Sequence, residues 1–177
     1  GDLYVSDCGN HVIRRISRDG IICTVAGNGT SGFSGDGDFA ASAQLNTPMG
    51  IAVNAESTLF IADSGNRRIR RVAPNGRIST FAGSDATDSD YDIPARETSL
   101  SVPVDVALSE DGSLLIADRE DVRIRRVGND GIIRCAYAPY QRLFAKTTSA
   151  PTESKTPSSR VVALVIGQDS GYSSVAT

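Results

Sequence analysis

The sequence predicts an all-β chain of stacked four-stranded blades, a β-propeller, and three observations predict it. A passage recurs at a fixed long period, with Asp7 to Asp63 spanning 56 residues and both Asp63 to Asp118 and Pro48 to Pro103 spanning 55. Each copy breaks into short runs rich in β-branched and aromatic residues, separated by turn residues. The dipeptides Asp19-Gly20, Asn75-Gly76 and Asp130-Gly131 fall in register. They are strong hairpin signals, read as type I′ turns in which both central residues take positive φ.

The first copy opens with Leu3-Tyr-Val-Ser-Asp7, which matches the second strand of a blade, so its opening strand is missing. The second copy is complete: Gly50–Asn54, Leu59–Ala62, Arg68–Val72 and Ile78–Ala82 read as four strands. The third repeats Leu114-Leu-Ile-Ala-Asp118 and Val122-Arg-Ile-Arg-Arg-Val127, then degrades after Ile133. Blades are expected near 1–47, 48–102 and 103–140, a low-complexity linker over 141–160, and an extra strand with a tail over 161–177. The strand signal of the last segment is the apolar run Val161-Val-Ala-Leu-Val-Ile166.

The motif Asp-x-x-Asn-x-x-Ile-Arg-Arg-Val, with Asn10-His11-Val12 in its first copy, resembles the NHL repeat over residues 1–135. The long connection Ala26 to Ala40, followed by Gln44-Leu45 and Pro48 to Val53, is similar to long-period members of that family. The resemblance implies a six-bladed ring, of which this chain supplies about three blades. It also implies a range of functions, since relatives bind RNA, proteins or glycans and some are lyases or hydrolases.

Three blades do not close on themselves, because a ring takes roughly four to eight. The sequence begins without Met or a signal segment, which predicts a fragment or processed product of a longer protein. The alternative is a homodimer completing six blades, with Val161–Ile166 of one chain pairing beside Leu3–Val5 of the other. Closure of that edge within one chain is expected to demand too much curvature.

Eighteen basic and twenty-one acidic side chains leave a net charge of −3. That balance argues against general nucleic-acid binding, which needs a basic excess. No run is long enough to span a membrane. Cys8, Cys23 and Cys135 have no metal-ligand spacing, and their odd number leaves the redox compartment open. Asn28-Gly29-Thr30 is a glycosylation sequon and slightly favours an extracytoplasmic setting.

The Arg-Arg pairs invite a ring of anion binders, but a structural role is the stronger reading. Neighbours in a strand point to opposite faces, so one Arg of each pair enters an inter-blade layer and needs a partner. Asp7, Asp63 and Asp118 recur one strand earlier, and the expected ion pairs are Asp7 with Arg15, Asp63 with Arg71 and Asp118 with Arg126. Asn10, His11, Asn66, Arg67, Arg68, Arg119 and Arg123 lie at or near loops and are the candidate binding residues. Asp36 and Asp38 suggest a calcium loop, but two carboxylates without a correctly spaced Glu make turn formation the preferred role, and no cofactor is expected.

His11 is the only histidine, which is too few for a His-rich metal centre, and no nucleophile is paired with a base by any motif. No catalytic residue is assigned. The reading is a non-catalytic interaction module whose loops bind a protein or carbohydrate. The alternatives are part of a propeller lyase or hydrolase with its catalytic residues elsewhere, and an RNA-binding propeller.

Overall fold

The computed structural model describes residues 1–86, 91–137, 164–168 and 171–176. Fourteen strands among them form three antiparallel sheets, which are the three blades. Blade 2 is the simplest, with β4 (Pro48–Val53), β5 (Leu59–Asp63), β6 (Arg68–Val72) and β7 (Ile78–Ala82) in that spatial order. Blade 3 repeats it with β9 (Pro103–Leu108), β10 (Leu114–Asp118), β11 (Arg123–Val127) and β12 (Ile132–Tyr137). The short strand β8 (Ile93–Pro94) is added outside β12. Blade 1 contains β1 (Leu3–Asp7), β2 (Val12–Ile16) and β3 (Ile22–Ala26), preceded by β13 (Leu164–Gln168) and β14 (Gly171–Ala176) in the order β13-β14-β1-β2-β3.

Apart from β14 with β1 and β8 with β12, every strand pair within a blade is joined by a hairpin or an equally short connection, so the copies fold from local sequence signals. The turn chemistry differs from expectation in one detail. Gly20, Gly76 and Gly131 take positive φ, whereas the preceding Asp19, Asn75 and Asp130 do not. The Gly20 N–H bonds to Ser17 O, and Ser17 N–H to Ile21 O, both at 2.9 Å. This is the three-residue hairpin, a tight turn followed by a left-handed glycine, and not the two-residue type I′ form.

Strand alternation builds two cores. Leu59 and Ile61 of β5 face blade 1, where they join Ile13, Leu45 and Ile51. Phe60 and Ala62 of the same strand face blade 3, joining Val106, Leu114 and Ile116. Because both faces of a middle blade are covered, every residue of β5 is buried.

The long connections act as staples. The connection from β3 to β4 crosses the outer edge of blade 2, where Gly37 N–H reaches Ile78 O at 2.8 Å and Ile78 N–H reaches Asp38 O at 2.9 Å. The connection from β7 to β9 does the same on blade 3, with Asp92 N–H to Ile133 O and Ala95 N–H to Gly131 O. Blades 2 and 3 therefore each depend on a loop from the repeat before them.

The missing opening strand of blade 1 is filled by the same chain. β14 pairs antiparallel with β1, Tyr4 opposite Ala176 and Val5 opposite Val175, and β13 pairs with β14. This corrects two expectations. The edge strand beside Leu3–Val5 is Gly171–Ala176 and not Val161–Ile166, of which residues 161–163 lie outside the described residues. The pairing also occurs within one chain. The expected linker over 141–160 lies outside the described residues.

Candidate binding face

Asp7, Asp63 and Asp118 each end the second strand of a blade. After Asp7 and Asp63 the chain makes one 3-10 turn, Cys8–Asn10 and Ser64–Asn66. A left-handed residue then reverses it: His11 at φ 57° and Arg67 at 54°, with Val122 at 51° in blade 3. These turns and the starts of the long connections share one end of the blades, opposite the Asp-Gly and Asn-Gly hairpins.

The strand register then decides which arginine meets the aspartate. Asp63 lies opposite Arg68, so Arg70 falls on the same face, while Arg71 lies opposite Phe60 on the other. Arg70 Nη1 is 3.2 Å from Asp63 Oδ2, and both side chains are 0% exposed. Arg125 sits 3.3 Å from Asp118 with the same burial. Arg14 is 3.4 Å from Asp7, half-exposed. The expected partners Arg15, Arg71 and Arg126 are therefore corrected to Arg14, Arg70 and Arg125. Arg15 pairs with Asp2, Arg126 with Asp111, and Arg71 is exposed.

The buried carboxylates are fully engaged. Asp63 accepts the Asn46 N–H at 2.7 Å and an Asn66 amide hydrogen at 2.8 Å, besides Arg70. Burial pushes its carboxyl above the usual range despite these donors. Asp118 takes the N–H groups of Ser101 and Val102 at 3.0 and 2.8 Å. Asn10 likewise donates to Asp7 at 2.8 Å. Asn10 and Asn66 thus brace the aspartates, and Asn66 also reaches Gly32 O.

The remaining loop candidates divide by accessibility. Arg67 and Arg119 are exposed, and Arg123 is half-buried with its nearest carboxylate, Asp121, at 3.8 Å. Arg68 is only 8% exposed. Its guanidinium lies 4.2 Å from the Phe33 ring centroid and 2.7 Å from Asp85. His11 Nδ1 accepts the Thr47 N–H at 3.1 Å. Asn28 is exposed, with its Oδ1 taking the Thr30 N–H.

Asp36, with Asp38 a weak calcium candidate in the sequence, lies in an ion pair with Arg70. It bonds Arg70 Nη2 at 2.7 Å and the Thr80 N–H at 3.0 Å. Burial raises its carboxyl, but Thr80 and Arg70 outweigh this and hold it below the usual range. Asp38 is exposed and contributes its backbone carbonyl to Ile78. Among the described residues no three His, Cys, Asp or Glu side chains converge as a metal site.

Two clefts open on the loop end of the blades. The one on blade 2, of about 580 Å³, lies between Phe33, Arg68, Asp85, Arg96 and Glu97. The one on blade 1, about 500 Å³, lies between Asn10, Arg14, Thr24 and Asn28. They occupy equivalent positions in successive repeats. The sequence reading missed Phe33, Asp85, Arg96 and Glu97, which belong to no repeat motif. The available signal was the pair of aromatic residues, Phe33 and Phe39, inside a glycine-rich connection.

The motif, the three antiparallel blades and the buried Asp–Arg layer agree with one comparison in particular: the Teneurin NHL domain matches residues 29–95. The chain belongs to the NHL-repeat β-propellers. This NHL segment is 31% identical to mouse Teneurin-1 over 150 residues, covering 72% of the chain and 5% of that protein. It thus spans about a twentieth of the length of such relatives. Among solved structures, a Bacteroides thetaiotaomicron protein of unknown function superposes with a TM-score of 0.63 at 24% identity, over 71% of this chain and 32% of that one. A streptogramin B lyase superposes at 0.54 and 19% identity, over 80% of this chain and 38% of that one. At such identities the likeness establishes the fold. The NHL segment is a partial propeller, and no helix among its described residues is long and apolar enough to cross a membrane.

Proposed function

We propose that this NHL segment is a non-catalytic interaction module that binds a protein through its loop end, at the blade 2 cleft. The observation that carries this is the cleft's composition. Asp85, Arg96 and Glu97 are exposed around a cleft that they share with Phe33 and the buried Arg68. Charges of both signs around an aromatic side chain suit a polypeptide surface, where aromatic and Arg anchors dominate the energetics. A nucleic acid would favour a single positive field. The one histidine is engaged with backbone and serves the turn.

Arrays of purified proteins and of glycans test the assignment. The expected result is protein binding that Arg96→Glu abolishes and that Asp130→Asn, at the opposite end of the blades, leaves intact. Binding to glycans in place of proteins, or protein binding indifferent to Arg96→Glu, would overturn it.

A further inference from the structure

Blade 1 differs from the blades that follow it, because among the described residues nothing covers its outer edge. The Arg14 side chain is 35% exposed, whereas its equivalents Arg70 and Arg125 are at 0%. Ile22, at the start of β3, is 60% exposed, whereas Ile78 and Ile133 at the same place in β7 and β12 are at 1% and 0%. Ile21 beside it is also exposed, at 66%.

The covers on the other two blades share an aromatic ring near the buried arginine and backbone pairing along the edge isoleucine, and the blade 2 cover adds an aspartate on the arginine. On blade 2, the Phe33 ring lies 4.8 Å from the Arg70 guanidinium carbon, and Asp36 binds both Arg70 and the Thr80 N–H. Residues 36–38 then turn, exchanging backbone hydrogen bonds with Ile78, and Phe39 pairs antiparallel with Arg77. On blade 3, the Tyr91 ring lies 5.7 Å from the Arg125 guanidinium carbon, and Asp92 and Ile93 pair along Ile133. Blade 1 holds the receiving groups of the blade 2 cover: Arg14, Thr24 and the open edge of β3 at Ile22. Val12, only 4% exposed, stands where blade 2 has Arg68.

We infer that the Arg14 cleft and the Ile22 edge together form a docking site for the connecting loop of another NHL-type repeat. The occupant is a segment with an aromatic residue, an aspartate three positions later, and a turn after it whose backbone hydrogen-bonds to the strand edge. The aspartate would meet Arg14, the ring would lie over Arg14 and the apolar rim, and the backbone would add to β3. The chain's own sequence after residue 137 lacks this pattern, because neither Tyr140, Phe144 nor Tyr172 is followed three positions later by an aspartate. The inference shares the reading of the chain as an interaction module, but it uses a different surface from the Arg96 cleft.

A fluorescent synthetic peptide of residues 29–41 is the probe, with anisotropy as the readout against the full chain. Saturable binding is expected. It should weaken at least ten-fold with Arg14→Gln or Ile22→Asp in the protein, and by a similar factor when the peptide carries Asp36→Asn or Phe33→Ala. The peptide variants leave the protein untouched, so they remain decisive if a protein variant misfolds. Arg96→Glu should leave peptide binding unchanged, which separates this site from the proposed partner cleft. No saturable binding to a chain with normal melting, or binding indifferent to Arg14→Gln, would overturn the inference. Equal binding of the Phe33→Ala peptide together with displacement by millimolar sulfate would reduce the site to a simple anion site and overturn it too.

Discussion

Arg70 and Asp63 face each other inside the layer between blades 1 and 2, both at 0% exposure, while Arg71 is exposed on the opposite face of the same strand. A charge buried this completely is stabilised only by its partners, so removing one partner strands the other. Asp63→Ala and Arg70→Ala should each destabilise the chain by about 3–5 kcal/mol, whereas Arg71→Ala should stay within about 0.5 kcal/mol. Chemical denaturation of the three variants decides it. Equal losses for Arg70 and Arg71 would contradict the register.

Acid should act through Asp36 more than through Asp63. The folded-state carboxyl of Asp36 lies below its ordinary 3.8, so its contribution is present above that pH and is lost as pH falls from 3.8 through the folded value. Asp63 is raised, so its contribution is present in full below 3.8 and declines as pH rises through its folded value. The Asp36→Asn variant should therefore show a flatter loss of stability below pH 3.8 than the parent chain. Thermal melts across that range measure it, and parallel curves would remove Asp36 as the acid-sensitive group.

Gly50 sets the approach of neighbouring blades. A Cβ there would run into Asp105 on β9, at both its backbone and its carboxylate. The backbone cannot yield without separating blade 2 from blade 3, so Gly50→Ala should destabilise by about 1–3 kcal/mol, as overpacking does. A neutral effect in calorimetry would show that the two inner strands have slack.

Removing residues 164–177 should expose the edge of β1. With β14 gone, the N–H and C=O groups of Tyr4 and Val5 lose their partners Ala176 and Val175. An unpaired edge recruits other strands, so the truncated chain should associate more than the intact one in gel filtration with light scattering. Loss of a dimer on truncation would instead support strand exchange between chains.

Asn28 is exposed and followed by a left-handed Gly29 and an exposed Thr30. Expression through a secretory pathway should add one glycan, seen as a mass increase that Asn28→Gln removes. Because Asn28 lines the Arg14 cleft, the glycosylated chain should also bind the residue 29–41 peptide more weakly.

The sequence by itself determined the repeat, the strand content, the blade boundaries near Pro48 and Pro103, and the need of the recurrent aspartates for arginine partners. These follow from local periodicity and from the penalty on unpaired buried charge. Strand parity, readable from Asp63 opposite Arg68, would also have selected Arg70 over Arg71, had the length of the 3-10 turn been known. That length set the register, and no residue pattern announced it. Only the tertiary structure decided that Asp36 belongs to an ion pair, that Phe33 covers two arginines, and that β14 fills the vacancy beside β1. These contacts join residues far apart in sequence, and their geometry depends on how one blade stacks on the next. A chain of local signals specifies each blade, but the groups that stacking leaves uncovered, Arg14 and Ile22 among them, appear only once the blades are packed.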